Sequence, residues 1–256
     1  IGDYMISASL GTSSASRPLK VVGRGVEREV LKVGKGVVSD KHTSDFWVFE
    51  GVDGRDYAVT GTWGADGTSF FWDVTDPANI KKIDSVKVDA RTVNDVKVSQ
   101  DGRISVIGRE GASDRKNGII ILDVSNPYDV KILSEYTKNL TGGVHNVFID
   151  NDHVYALSGS QRYFVINIED PKNPVEVGMF EVGKEGQSIH DVWIEDGIAY
   201  SSNWRDGVYL VDVGNGIADG SPSNPVASNP EIGSTEPSGN DDLSKGVSTN
   251  LIYPTV

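Results

Sequence analysis

Short runs in which apolar and polar residues alternate recur along the chain, separated by Gly, Asp, Asn and Pro, and no stretch holds a helical period for long. Four of these runs share one pattern: TSDFWVF at 43–49, TVNDVKV at 92–98, GVHNVFI at 143–149 and SIHDVWI at 188–194. Their second polar positions, Asp45, Asp95, Asn146 and Asp191, lie 50, 51 and 45 residues apart. After each comes a DG or ND turn, whose central residues accept the positive φ of a tight hairpin. A second run follows: RDYAVTGTW from 55, GRISVIGRE from 102, DHVYALSGS from 152 and GIAYSSNWR from 197.

The third run of each unit is almost wholly apolar: SFFWDVTDP from 69, GIIILDVSNP from 118, RYFVINIEDP from 162 and GVYLVDVGNG from 207. Three of its copies close on Asp-Pro or Asn-Pro, where proline removes a backbone donor and ends a strand. A fourth run alternates again, as in NIKKIDSVKV, DVKILSEYTK and NPVEVGMFEV. Four short β runs in a unit of about 45–50 residues mark a propeller blade, whose two faces both pack on neighbours. That packing accounts for the continuous apolar third run, since a half-exposed strand would alternate.

The pattern therefore predicts an all-β fold: a β-propeller of four-stranded antiparallel blades. A single domain over 1–256 is expected, with blades starting near 43, 92, 143 and 188 and partial blades at both ends. RPLKVVG (17–23) resembles a fourth run and reads as an outer strand without a blade. STNLIYP (248–254) fits a first run, with Thr249 and Asn250 under His145 and Asn146, so a partial blade begins at 248. Either the two partial blades close the ring together or the natural chain continues beyond Val256; continuation is the expectation. Residues 214–247, rich in Gly, Ser, Pro and Asn, read as a low-complexity insertion with at most one edge strand, at PVAS, because they offer little apolar surface to offset ordering.

Composition narrows the function. With 24 basic and 37 acidic residues the net charge is −13, which disfavours nucleic acid and anionic lipid. No apolar run approaches the ~18 residues of a membrane span. The absence of cysteine excludes disulfides, thiol catalysis and thiolate metal sites. The chain starts at Ile1, consistent with a targeting segment having been removed or left out.

The third and fourth runs, ILDVSNPYDVKIL and INIEDPKNPVEVGMF, resemble the bacterial LVIVD repeat, as do the HNV and HDVW first runs, over about residues 43–213. The resemblance implies an envelope or secreted bacterial propeller, placed in the periplasm, at the cell surface or outside the cell. In this chain Ser44 and Asn94 stand where later units have histidine. The HDV and HNV segments are also similar in style to those of copper-bearing propeller oxidases.

If the first run is innermost, Ser44, Asn94, His145 and His190 face the channel on one ring, and Asp45, Asp95, Asn146 and Asp191 on the next. Imidazole suits zinc or copper and carboxylate oxygen suits calcium, so His145, His190, Asp45, Asp95 and Asp191 are candidate ligands for a divalent metal. The competing reading is architectural: a recurring Asp or Asn accepts hydrogen bonds from nearby backbone N–H groups. No catalytic residue is assigned: a GxSxG elbow is absent, GRG at 23–25 and GKG at 34–36 precede no helix pattern, and GVDGRDY at 51–57 reads as a hairpin turn. Arg109, Glu110, Asp114, Arg115 and Lys116 read as a solvated blade connection. Trp63 and Trp204 follow the second run and either contact a sugar or protein or fill blade interfaces. Asn139 heads an NLT glycosylation sequon. Two functions remain: a non-enzymatic protein-binding or assembly module, such as an accessory subunit of a larger complex, and a metal-dependent enzyme built on the two histidines at the channel mouth.

Overall fold

The computed structural model describes residues 2–10, 12–21, 30–38, 40–183, 188–204 and 207–228, and divides the chain into two compact units, Ile1–Val33 and Gly34–Val256. The first contains a hairpin of β1 (Gly2–Leu10) and β2 (Ser13–Val21), paired from Gly2↔Val21 to Leu10↔Ser13. Residues 17–21, which resemble an outer blade strand in sequence, belong to β2 and pair with β1 instead. The local partner satisfies the backbone groups that a blade would otherwise have supplied.

The second unit is all-β and consists of four antiparallel four-stranded sheets arranged as the blades of a propeller. Blade 1 comprises β3 (His42–Glu50), β4 (Asp56–Trp63), β5 (Thr68–Asp73) and β6 (Lys81–Lys87). Blade 2 comprises β7 (Val96–Val98), β8 (Ile104–Arg109), β9 (Gly118–Asp123) and β10 (Lys131–Tyr136). Blade 3 comprises β11 (Val147–Asp150), β12 (His153–Ser158), β13 (Arg162–Asn167) and β14 (Val175–Glu181). Blade 4 comprises β15 (Ile189–Glu195), β16 (Ile198–Asn203), β17 (Gly207–Asp212) and β18 (Val226–Ala227). The edge strand expected at PVAS is β18, the outer strand of blade 4.

The first strands β3, β7, β11 and β15 neighbour one another at the centre, and the third strands are sandwiched. Every residue of β5 is buried, as are Ile119, Ile120, Ile121 and Leu122 of β9. Alternate residues of each sheet feed opposite interfaces: Phe71, Val96, Ile107 and Leu122 between blades 1 and 2, Val106, Ile121, Val147 and Phe164 between 2 and 3, and Tyr163, Val165, Val192 and Val211 between 3 and 4. Each such side chain contributes about 1.5–3 kcal/mol on burial, so these three seams hold the assembly. Among the described residues no comparable cluster joins blades 4 and 1, which meet at the axis through Trp47 and Trp193, ring centroids 6.0 Å apart.

Two glycines show how tightly the blades abut. A Cβ on Gly61 would lie 2.2 Å from the Val93 carbonyl oxygen, and one on Gly108 would lie 2.7 Å from that of Val144. In each case the second strand yields space to the next blade as it enters its first strand. The initial part of the low-complexity segment is held down by one side chain: the Asp212 carboxylate accepts N–H groups from Gly214, Asn215, Gly216, Ala218 and Gly220 at 2.7–3.2 Å. Residues 229–256, with the first-run match at 248–254, lie outside the described residues.

Candidate functional site

At the axis the residue two places beyond each recurring Asp or Asn points inward: Trp47, Lys97, Phe148 and Trp193. The three aromatic rings touch one another at centroid separations of 4.8–6.2 Å, and the Lys97 ammonium lies 5.1 Å from the Trp47 ring centroid, within cation–π range. These side chains cluster where the inner strands meet, with Trp193 still 48% exposed.

Lys97 also gathers two of the candidate ligands. Its ammonium is 2.9 Å from Asp45 Oδ2 and directly contacts Asp95 Oδ1. Asp95 is 2% exposed, and its oxygens accept the Val96 N–H at 2.9 Å and, from blade 3, the Val147 N–H at 2.7 Å. Burial and the facing Asp45 push Asp95 above the usual carboxylate range. Asp45, despite its own burial, is held below that range by its hydrogen bond with Asp95 and by Lys97. Lys97 is raised: burial opposes its charge, but the two carboxylates outweigh it. The cluster is an internally neutralised ion network. Asp191 accepts the N–H of Val192 at 2.8 Å, the architectural use of such a residue.

The histidines lie elsewhere, at one rim. His190 sits in a β-bulge, since the β15–β16 register skips from Ile189↔Asn203 to Asp191↔Ser202, and the extra residue turns the imidazole toward blade 3. His145 precedes β11, and its ring centroid is 5.5 Å from that of His190. Its Nδ1 is 2.9 Å from Glu110 Oε1, so Nδ1 carries the proton it donates to the carboxylate and Nε2 is left facing away. On the other side His190 meets Trp204, centroids 4.6 Å apart at 76°. Together Glu110, His145, His190, Trp204, Leu157 and Ser160, with three glycines, line a cleft of about 220 Å³.

The five candidate ligands are thus divided between the axial ion network, an architectural aspartate and the rim cleft. Among the described residues no three His, Asp or Glu side chains converge in a metal-holding arrangement. The remaining ring positions fasten blades together: Ser44 Oγ donates to the Val93 carbonyl at 2.6 Å and Asn94 Nδ2 to the His145 carbonyl at 2.9 Å.

Two participants escaped the sequence reading. Glu110 belongs to the stretch read as a solvated connection, yet it reaches His145, and its neighbour Arg109 is buried against Glu135. The available signal was position: Glu110 follows the second strand of its blade as Trp204 follows its own, and Trp63 closes the corresponding strand of blade 1. Lys97 was missed although it stands in a slot otherwise held by Trp47, Phe148 and Trp193, beside two carboxylates. Both tryptophans at the ends of second strands are exposed, Trp63 by 53% and Trp204 by 66%, rather than filling interfaces. The sequon amide of Asn139 donates to both oxygens of Glu176 at 3.1 and 2.9 Å.

No family model matches the chain, and no curated protein matches it. Among solved structures it is similar to a hypothetical selenium-binding protein from Sulfolobus tokodaii, at 15% identity and a TM-score of 0.48, over 66% of this chain. The similarity spans 46% of that protein, so this chain matches less than half of its length.

Proposed function

We propose that this protein is a binding module: a non-enzymatic LVIVD-type propeller of the bacterial envelope, periplasmic, surface-bound or secreted, whose partner is another protein. The observation that carries the reading is the contrast between side chains that engage one another at the axis and a rim cleft whose aromatic residue stays exposed. Trp47, Phe148, Trp193 and Lys97 meet at the axis, whereas His145, His190 and the largely exposed Trp204 present a mixed polar and aromatic concavity on a stiff scaffold. Exposed aromatic residues next to hydrogen-bonding groups are typical anchor points at protein interfaces. Propellers generally gain function through such rims rather than through their cores.

A second reading has one specific observation in its favour. Glu110 holds His145 Nδ1 as the outer carboxylate of a metal-ligating histidine does, leaving Nε2 available beside His190. A metal-dependent enzyme would need further ligands there from water or substrate. The test is to wash the protein with chelator, challenge it with zinc, copper and calcium, and count bound metal by element-resolved mass spectrometry in wild type, His145→Ala and His190→Ala. In parallel, a displayed random-peptide library is selected on wild type and on Trp204→Ala. The binding-module reading expects peptides that need Trp204 and no stoichiometric metal; one metal per chain, lost in both histidine variants, with no Trp204-dependent peptides, would replace it with the metal-site reading.

A further inference from the structure

We propose that the rim cleft receives a single cationic side chain, an arginine guanidinium presented by a basic partner protein, held between the Trp204 indole and the Glu110 carboxylate. The inference rests on the binding-module reading and names the chemistry that this site selects.

Charge comes first. Among the described residues no Lys or Arg lines the cleft, Glu110 supplies a carboxylate, and the whole chain carries −13. Such a concavity repels phosphate, sulfate and acidic peptides and attracts cations from a distance. At about 220 Å³ the cleft is smaller than the roughly 300–1,000 Å³ of ordinary small-molecule sites. One extended side chain fits it better than a cofactor.

Geometry then favours a planar cation. Trp204 is 66% exposed and His190 meets it at 76°, so the two rings do not stack and an indole face stays accessible. A guanidinium is planar, weakly hydrated and suited to lying on such a face, where a compact ammonium gains less contact. At the other end of the lining, Glu110 Oε1 is engaged by His145 Nδ1. Oε2 has no protein donor among the described residues, so it can accept one N–H of the guanidinium in a charge-assisted hydrogen bond. His145 thereby acts as a positioning residue: by holding one oxygen it fixes the direction in which the other points. Three glycines at positions 142, 143 and 159 keep the walls low, which admits a side chain projecting from a folded partner.

The test uses the intact protein and follows the Trp204 indole N–H by two-dimensional NMR, assigned with Trp204→Phe. Nα-acetylarginine amide is titrated against Nα-acetylcitrulline amide, which has nearly the same shape and no charge. Expected is a saturable shift of Trp204 with the arginine probe, at least tenfold weaker binding in Glu110→Gln, a further loss with added salt, and no response to citrulline. An equal response to citrulline, or binding unchanged in Glu110→Gln, overturns the proposal. The remaining indole signals report whether each variant is folded, and His145→Asn, which leaves the carboxylate in place, provides a second route: it should weaken the arginine probe without abolishing it. Trp204-dependent peptides that lack a basic anchor, together with a silent arginine titration, would sink this inference while leaving the binding module standing. Failure of both peptides and probe would remove both.

Discussion

In blades 1 and 2 the recurring polar pair at the inner strand is closed by its neighbours. Ser44 and Asn94 donate to carbonyls of the following blade, and Asp45 and Asp95 share the Lys97 ammonium. In blades 3 and 4 the same positions are tied more loosely: His145 gives Nδ1–H to Glu110 yet its side chain is 46% exposed, His190 faces the cleft, Asp191 accepts only the N–H of the next residue in its own strand, and Asn146 Oδ1 is buried without a hydrogen-bond partner among the described residues. Apart from Arg109 Nε, the buried side-chain atoms lacking partners among the described residues all belong to blades 3 and 4, including both polar atoms of Asn203 and the hydroxyls of Tyr155, Tyr163 and Ser201. Each such group costs about 1–3 kcal/mol. One repeat therefore supports two uses, a fastened half and a half that keeps polar groups available, and the neighbouring blade decides which.

Removing Lys97 should break this contrast most severely. Lys97→Met leaves two carboxylates facing each other near the axis, and the expected loss is about 3–5 kcal/mol in urea-induced unfolding. The wild-type network also has a signed pH dependence. The folded pKa of Lys97 is raised, so its stabilisation is complete below the unfolded lysine value of about 10.4 and is lost as pH rises through the folded value. Lys97→Met should erase that alkaline component.

Asp212→Asn tests whether blade 4 has a fastening of its own. Burial would raise this carboxyl, but the N–H groups of Ala218, Gly214, Gly216 and Gly220 hold it well below the ordinary range. Because the folded pKa is depressed, its contribution is present above the unfolded value of about 3.9 and disappears as pH falls toward the folded one. The variant should lose about 2 kcal/mol at neutral pH and show a flatter acid limb in a stability profile from pH 2 to 7. An unchanged acid limb would mean that the loop does not depend on the charge.

Smaller effects sharpen the comparison at the ring itself. Asn94→Ala removes the donor to the His145 carbonyl and should cost about 1 kcal/mol. His190→Ala removes a side chain that lines the cleft, and the expected change is within about 0.5 kcal/mol. If His190→Ala proved the more damaging, blades 3 and 4 would be as fastened as blades 1 and 2.

The blade pattern was legible because strands within a blade are neighbours in sequence: turn residues, alternation and the apolar runs FFW, IIIL, YFVI and VYLV locate all four sheets. The ring positions were legible for the same reason, as a period. What a period does not carry is the partner across the seam. Glu110 meets His145 from 35 residues away and Asp95 meets Val147 from 52, so whether a polar group is consumed depends on contacts that each repeat lacks when read alone. The hairpin at 2–21 misled for a related reason, since RPLKV resembles an outer strand and only its pairing with β1 shows another use.

The lysine at the axis also sets the order of the units. Asp95 travels with Lys97 in the same unit, but Asp45 belongs to blade 1, so blade 2 docked elsewhere would leave Asp45 without its cation. Repeat proteins face a constant hazard of misassembly, in which one copy docks where another belongs. Lys97 works as an index: only the second blade, in the second place, brings the charge that its surroundings require.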